Sequence, residues 1–275
     1  MATNPLKDRL EKLPTPPKIA VTIRDTNGER SRVTWGPWSG QVDPFYRVGA
    51  ETPFHEESFG YSSEHEDTGL ELHRMQDFSD RKKFTMGVLL ATTSSAYQRI
   101  FNRWDTITTL RLTIEEDGHL YGEAAQVDEG ARESARSRVP VSNRGWVWAF
   151  WRGEQRSDGV FSSRIDVVDE SSAGKIYAGG QSRINGGAAR RDPRLFFASP
   201  IFLLRAAPGG PPVTGQANPR GGFPFRGEFG CWALWDRHLD DATMLRVANS
   251  SPESKVPEGP VRREGFDTGW GVAIR

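Results

Sequence analysis

Five histidines, His55, His65, His73, His119 and His238, are the most chemically versatile side chains in the sequence. None stands in an HxH or HxxxH spacing, the arrangements that turn two imidazoles toward one zinc ion. His55, His65 and His73 lie near Glu56, Glu57, Glu64, Glu66 and Asp67, a pattern that reads as a solvated acidic loop, with a metal cluster as the alternative. A serine nucleophile would need a strand–Gly-x-Ser-x-Gly–helix turn, and none occurs. Ile184-Asn185-Gly186-Gly187 leads to no Lys-Ser/Thr, so it is not a phosphate cradle. Glu115-Glu116-Asp117 sits at an Asp-Gly turn, where consecutive acids do not converge on one substrate. Arg132, Arg136, Arg138 and Arg144 form a basic stretch, echoed by Arg183, Arg190, Arg191 and Arg194. Glu129, Glu133 and Asp192 dilute both, which favours solvated loops or protein contacts over a nucleic-acid surface. Trp146, Trp148, Phe150 and Trp151 could stack on sugar rings, but at strand spacing they read as core.

Composition narrows the classes further. The 275 residues suit one large all-β domain with extensions, or two small domains. Only 36% are hydrophobic, yet nine Trp and fifteen Phe supply large packing surfaces. Lys+Arg and Asp+Glu balance at 36 each, which argues against a nucleic-acid or anionic-membrane binder. Seven of the 36 basic residues are Lys and 29 are Arg, the signature of a GC-rich genome. A single Cys, Cys231, rules out an intramolecular disulfide and any Cys-rich zinc site. No run approaches eighteen apolar residues, so no membrane insertion is expected. The opening MATNPLKDRLEKLPTPP lacks an apolar leader core, so the expected product is made in the cytoplasm without a signal peptide.

The elements that must position any site are mostly short strands. Leu6–Leu13 has helical potential and is followed by a proline-rich extended stretch. Ile19, Val21 and Ile23 alternate, and Asn27-Gly28 joins this run to Arg32–Trp35 as a hairpin. Residues 36–68 read as irregular, with one short strand at most. Alternation then recurs in Leu70–Leu72, Phe84–Leu90, Leu110–Ile114, His119–Gly122, Ile165–Val167, Lys175–Ala178, Ile201–Leu204 and Phe229–Trp235. Trp146–Trp151 is apolar on both faces, as a central strand covered on each side would be. Asp240 should cap one helix whose apolar side carries Met244, Leu245 and Val247. Ala206–Pro224 is a Gly/Pro-rich surface loop, residues 250–265 are polar, and Trp270, Val272 and Ile274 alternate again. Many short strands with few helices predict an all-β, antiparallel sandwich or barrel.

Four segments, in order, resemble the laminin-G-like jelly roll of the concanavalin A-like lectin/glucanase superfamily. They are Lys83–Thr92 with Gln98–Arg103, the Leu110–Gly122 hairpin, Arg144–Gly153, and Phe225–Leu245. The last is the most specific: Phe225, Gly227, Trp235, Asp236, Arg237, Leu239 and the helix from Asp240 match the family's terminal motif, and their role is structural. The resemblance covers residues 68–249 and implies a jelly-roll β-sandwich there. It leaves 1–67 as an N-terminal arm and hairpin and 250–275 as a C-terminal tail. Both flanks are expected to dock on neighbours, or alternatively to pack along the sandwich's own edges.

The glucanase branch of that superfamily implies Glu-x-Asp-x-Glu on one strand. The nearest segment, Arg164 to Glu170, has the central Asp166 but Arg164 in place of the first carboxylate. No catalytic residue is therefore assigned, and a hydrolase using Asp166 or Glu170 is the weakest reading. Laminin-G-like modules also imply calcium at the rim, for which Asp105, Asp117 and Asp128 are undiscriminated candidates. No other cofactor is expected. Such modules occur in accessory proteins of tailed bacteriophages, so the leading expectation is a non-enzymatic structural or adhesion protein of a virion. Its partners would be other virion proteins or further copies of itself, and host-surface glycan bound at a rim loop such as Ala206–Pro224. A free lectin-like carbohydrate-binding protein is the alternative.

Overall fold

Trp148 and Trp151 lie on opposite faces of one strand, and this determines how the chain must be layered. The structure, a computed structural model, describes residues 10, 12–17, 19–26, 29–35, 42–45, 59–60, 69–72, 83–104, 108–126, 131–155, 161–169, 175–180, 183–185, 201–203, 225–250 and 262–264. Among these residues two sheets form an antiparallel jelly-roll β-sandwich.

Sheet A comprises β1 (Ile19–Thr26), β2 (Glu29–Trp35), β4 (Phe59–Gly60), β6 (Lys83–Ala91), β11 (Val147–Gln155), β12 (Phe161–Asp169), β13 (Lys175–Tyr177), β16 (Glu228–Trp235) and β17 (Arg262–Glu264). Their order is β17-β13-β12-β11-β6-β16-β1-β2, with β4 also on β16. Sheet B comprises β3 (Val42–Phe45), β5 (Gly69–Leu72), β7 (Gln98–Trp104), β8 (Thr108–Ile114), β9 (His119–Gln126), β10 (Ala131–Pro140), β14 (Arg183–Asn185) and β15 (Ile201–Leu203). Their order is β14-β10-β9-β8-β7-β15-β5-β3. Of the described pairings, β13 with β17 is parallel.

Strand alternation assigns the faces. Phe84, Met86, Val88 and Leu90 of β6, Val147, Ala149 and Trp151 of β11, and Trp232 and Leu234 of β16 point into the sandwich. Ile100, Phe101, Leu110, Leu112, Ile114 and Leu120 meet them from sheet B. The opposite side of sheet A is also apolar, with Leu89, Trp148, Phe150, Val168, Cys231, Ala233 and Trp235. Water would meet that side, at a cost of about 1.5–3 kcal/mol per large side chain, unless something covered it. The cover is helix α1 (Asp241–Ser250), whose Met244, Leu245, Val247 and Ala248 join Leu239 and Leu10 in a second core.

Local chemistry places that cover. Asp240 Oδ1 accepts the Thr243 N–H at 2.7 Å, the capping bond the sequence predicts. Thr85 Oγ1 on β6 donates to the Arg237 carbonyl at 2.7 Å and accepts the Leu239 N–H at 3.0 Å, fixing the turn into the helix. Trp235 Nε1 donates to the Thr15 carbonyl at 3.1 Å, holding the proline-rich N-terminal stretch on the same layer.

Several elements differ from the sequence reading. Residues 36–68 hold two short strands, β3 and β4, rather than one. The first basic stretch is not a loop: β10 runs through it, with Arg136 and Arg138 exposed while Ala135, Ser137 and Glu133 are buried. Its polar inner residues conceal the alternation, and Glu133 is accommodated because Ser163 Oγ donates to its Oε1 at 2.7 Å. The strands β14 and β17 were also not anticipated. Ala206–Pro224 and Trp270–Ile274 lie outside the described residues, as does most of Leu6–Leu13. Among the described residues no helix is long and apolar enough to cross a membrane.

The two sheets come into close contact where Gly122 of β9 faces Trp151. A methyl group there would lie 2.6 Å from Trp151 Cε2, inside contact distance of a ring that cannot retreat. Gly122→Ala is expected to cost about 1–3 kcal/mol in chemical denaturation. Gly180→Ala, where an added methyl meets nothing within 4 Å, is the control and should shift the midpoint little. Equal shifts in the two variants would contradict this packing.

Candidate functional site

While sheet A is closed on both sides, the outward positions described on sheet B are polar throughout. Register places Thr113 between Arg99 and Tyr121, Arg111 between Asn102 and Glu123, and Ser134 beside Glu123. Arg99 and Asn102 are three residues apart, a spacing that would normally place them on opposite faces. An irregularity between Arg99 and Phe101 adds the extra residue that turns both outward while Ile100 and Phe101 stay in the core.

These side chains form a connected network. Arg111 Nη2 donates to Glu123 Oε2 at 2.9 Å. Arg99 Nη1 donates to Asn102 Oδ1 and its Nη2 to the Tyr97 hydroxyl, each at 3.2 Å, with the guanidinium carbon 5.6 Å from the Tyr97 ring centre. The Thr113 hydroxyl lies 3.1 Å from Glu115 Oε1 and 3.2 Å from the Tyr121 carbonyl. Burial pushes the Arg99 guanidinium down to about 10, with Arg111 adding repulsion, although Tyr97, Glu123 and Glu115 oppose the shift. Burial works the same way at Arg111, but Glu123 and Tyr97 outweigh it and hold that guanidinium above its ordinary value. Burial also raises Tyr121, against a hydrogen bond from Ser134. Arg99, Asn102 and Glu123 form the floor, whereas Tyr97, Arg111, Glu115 and Tyr121 are half-buried around it. Fixed donors and acceptors beneath partly exposed rings are suited to binding a polyhydroxylated ligand.

Sheet A deals with its charges differently. Asp166, the central acid of the hydrolase reading, is buried on the outer face of β12. It pairs with Arg152 and with Arg164 Nε at 3.4 Å, and accepts the Gly179 N–H at 3.1 Å. Arg152 Nη1 also donates to the Leu239 carbonyl at 2.9 Å, so the turn before α1 closes over the cluster. Its ionic neighbours are guanidinium groups, an arrangement that neutralises Asp166 instead of poising it as a nucleophile. Glu170 lies outside the described residues, and Asp169 points to the other face, paired with Arg144. Beside the cluster, His238 Nε2 is 3.1 Å from the Gly153 carbonyl, and its Nδ1 is 3.8 Å from Glu154 Oε2, which Lys83 Nζ also engages at 3.1 Å. Burial, reinforced by Arg152, Lys83 and Arg164, pushes His238 down to about 3, although the Gly153 carbonyl favours the protonated ring.

The remaining sequence candidates are scattered. Asp117 accepts the His119 N–H at 3.1 Å and pairs with Arg136, while Asp105 and Asp128 fall outside the described residues. His119 Nδ1 is 2.9 Å from the Ser137 carbonyl. His55, His65 and His73 are not among the described side chains, and those described hold no group of three His, Cys, Asp or Glu suited to a metal. Phe225, Trp235 and Leu239 are core, and Gly227 is where a side chain would strike the Ala91 carbonyl at 2.2 Å. Asp236 Oδ1 meets Arg237 Nε at 3.3 Å. Sequence reasoning passed over the sheet B face, although alternate positions in 97–123 carry Tyr, Arg, Thr and Glu opposite the apolar row.

No family model matches the chain, and no curated protein matches it. Solved structures do. The chain is similar to botulinum neurotoxin type C, in a structure described as showing that cell entry is dependent upon interaction with two ganglioside molecules (11% identity, TM-score 0.53, covering 85% of this chain and 51% of that one). It is also similar to the binding domain of botulinum neurotoxin DC in complex with SialylT (8% identity, TM-score 0.52, 86% and 52% covered). A third likeness is to a receptor binding domain (9% identity, TM-score 0.54, 90% and 53% covered). The chain spans about half the length of each of these structures. At such identities the likeness is one of fold, and it agrees with the jelly-roll sandwich described above.

The state of His238 makes stability depend on pH. The unfolded chain takes up its proton near pH 6.5, whereas the folded chain resists until about 3. Stability is therefore present above about pH 6.5 and is lost progressively as pH falls toward 3. His238→Gln should flatten this part of a thermal-midpoint profile between about pH 6 and 4. Parallel profiles for the parent and the variant would show that His238 is not held neutral.

Proposed function

We propose that the chain is a carbohydrate-binding module rather than an enzyme, and that its ligand lies on the outer face of sheet B. The observation that carries this reading is the contrast between the two outer faces. One is apolar and capped by α1, and the other presents Tyr97, Arg111, Glu115 and Tyr121 over the buried Thr113 and Glu123. The fold likeness adds support, since the titles of the similar botulinum structures name a sialyl ligand and ganglioside molecules. Non-enzymatic action fits the pairing of Asp166 with two arginines. The free lectin-like protein and the virion adhesion module share this site and differ only in setting.

For the setting, we propose an accessory component of a bacteriophage virion, associated with tail or capsid. Other virion proteins or further copies of the chain would be its partners, and host-surface glycan its target. The support is in the sequence: four laminin-G-like segments in order, and 29 of 36 basic residues as Arg. Portal, major capsid or tape-measure genes beside the coding sequence would agree with it, and a metabolic operon would contradict it.

Binding is tested by titrating the full chain with oligosaccharides selected from an immobilised panel. Tyr97→Ala and Tyr121→Ala should each weaken the selected ligand about tenfold, roughly 1.4 kcal/mol. Lys83→Ala, an exposed change on sheet A, should leave affinity unchanged. Unaltered binding in both tyrosine variants would move the site away from this face.

A further inference from the structure

Arg99 differs from the other buried arginines on the sandwich. Arg111 pairs with Glu123, Arg144 with Asp169, and both Arg152 and Arg164 with Asp166. Arg99 is 3% exposed, yet among the described residues no carboxylate lies within ion-pair distance of it. Its hydrogen-bond partners are two neutral groups, the Asn102 amide oxygen and the Tyr97 hydroxyl. The acids nearest to hand are already engaged, Glu123 by Arg111 and Glu115 by the Thr113 hydroxyl. A buried guanidinium whose direct partners are all neutral weakens a fold, and a bound anion would complement it.

We propose that Arg99 receives the carboxylate of an acidic sugar bound on the outer face of sheet B. The inference rests on the carbohydrate-binding reading of that face and names its ligand class. A guanidinium offers five N–H donors in a planar fork, and here two are committed and Nε–H is buried, so a carboxylate would be met by the second hydrogens of Nη1 and Nη2. Tyr97 and Tyr121, both half-buried, stand beside it where a sugar ring attached to that carboxylate would rest. Charge sets the valence. Arg111 is engaged by Glu123 and Glu115 lies close by, so the single guanidinium of Arg99 suits a monoanionic carboxylate better than a phosphate dianion. Nonulosonic and uronic acids both carry that group.

The test titrates the full chain with a sialylated trisaccharide, its neutral asialo parent, and a glucuronate-terminated oligosaccharide. Arg99→Met removes the charge at similar volume, and Arg99→Lys keeps the charge but loses the fork. The parent protein should prefer at least one acidic probe over the neutral one by tenfold or more, and the probe it prefers identifies the source of the carboxylate. Both variants should lose that preference. Arg99→Met should also melt several degrees higher, because relief of an unpaired buried charge is stabilising. A melting point lowered in Arg99→Met with the preference kept would make Arg99 purely structural and overturn the inference. Equal affinity for acidic and neutral probes would also overturn it while leaving the carbohydrate reading intact. Failure to bind any of the three, or any member of a wider glycan panel, would overturn both.

Discussion

The contact of Trp151 with the bare backbone of Gly122 is the constraint from which the layering follows. It lets sheet B approach sheet A closely enough for Phe101 to stack on Trp232 at 5.9 Å. With the inner face of β11 so committed, Trp148 and Phe150 on its other side still need cover, and they stack on each other at 5.7 Å beneath the second core. The helix, the Asp236–Asp240 turn and the N-terminal proline stretch are all recruited to that side. Sheet B has no comparable apolar row facing outward among the described residues, so its polar outer face needs no such cover.

The same asymmetry governs the charges. On sheet A, Arg152 and Arg164 are matched to Asp166, and Arg152 is also held by the Leu239 carbonyl. On sheet B the charges lie in a shallow network whose rim residues remain half-buried. His238 belongs to the sealed side, where three cations and burial keep its ring neutral. Asp166 is thereby paired with two arginines, a surrounding that the sequence alone only hinted at through Arg164.

Much of this was legible in the residues. Alternation gave β6, β8 and β16 with the correct faces, two-sided hydrophobicity marked β11 as central, and Asp240 announced the helix. The hairpin of β1 and β2 pairs on either side of Asn27-Gly28 as its turn chemistry requires. What escaped was hidden by polar burial. β10 reads as a loop because Glu133 and Ser137 occupy inward positions, and nothing local shows that Ser163, thirty residues away, will meet Glu133. The sheet B site escaped because a bulge, invisible in the sequence, brings Arg99 and Asn102 to one face. The sequence points instead to Ala206–Pro224, whose composition signals a loop but no chemistry.

Hydrogen–deuterium exchange of the full chain, with and without the selected oligosaccharide, tests the central claim most directly. The account predicts slowed exchange in peptides spanning 97–103 and 110–123, with peptides from β6, β11 and α1 unchanged. Protection confined to β11, β12 or α1, with 97–123 unaffected, would contradict it.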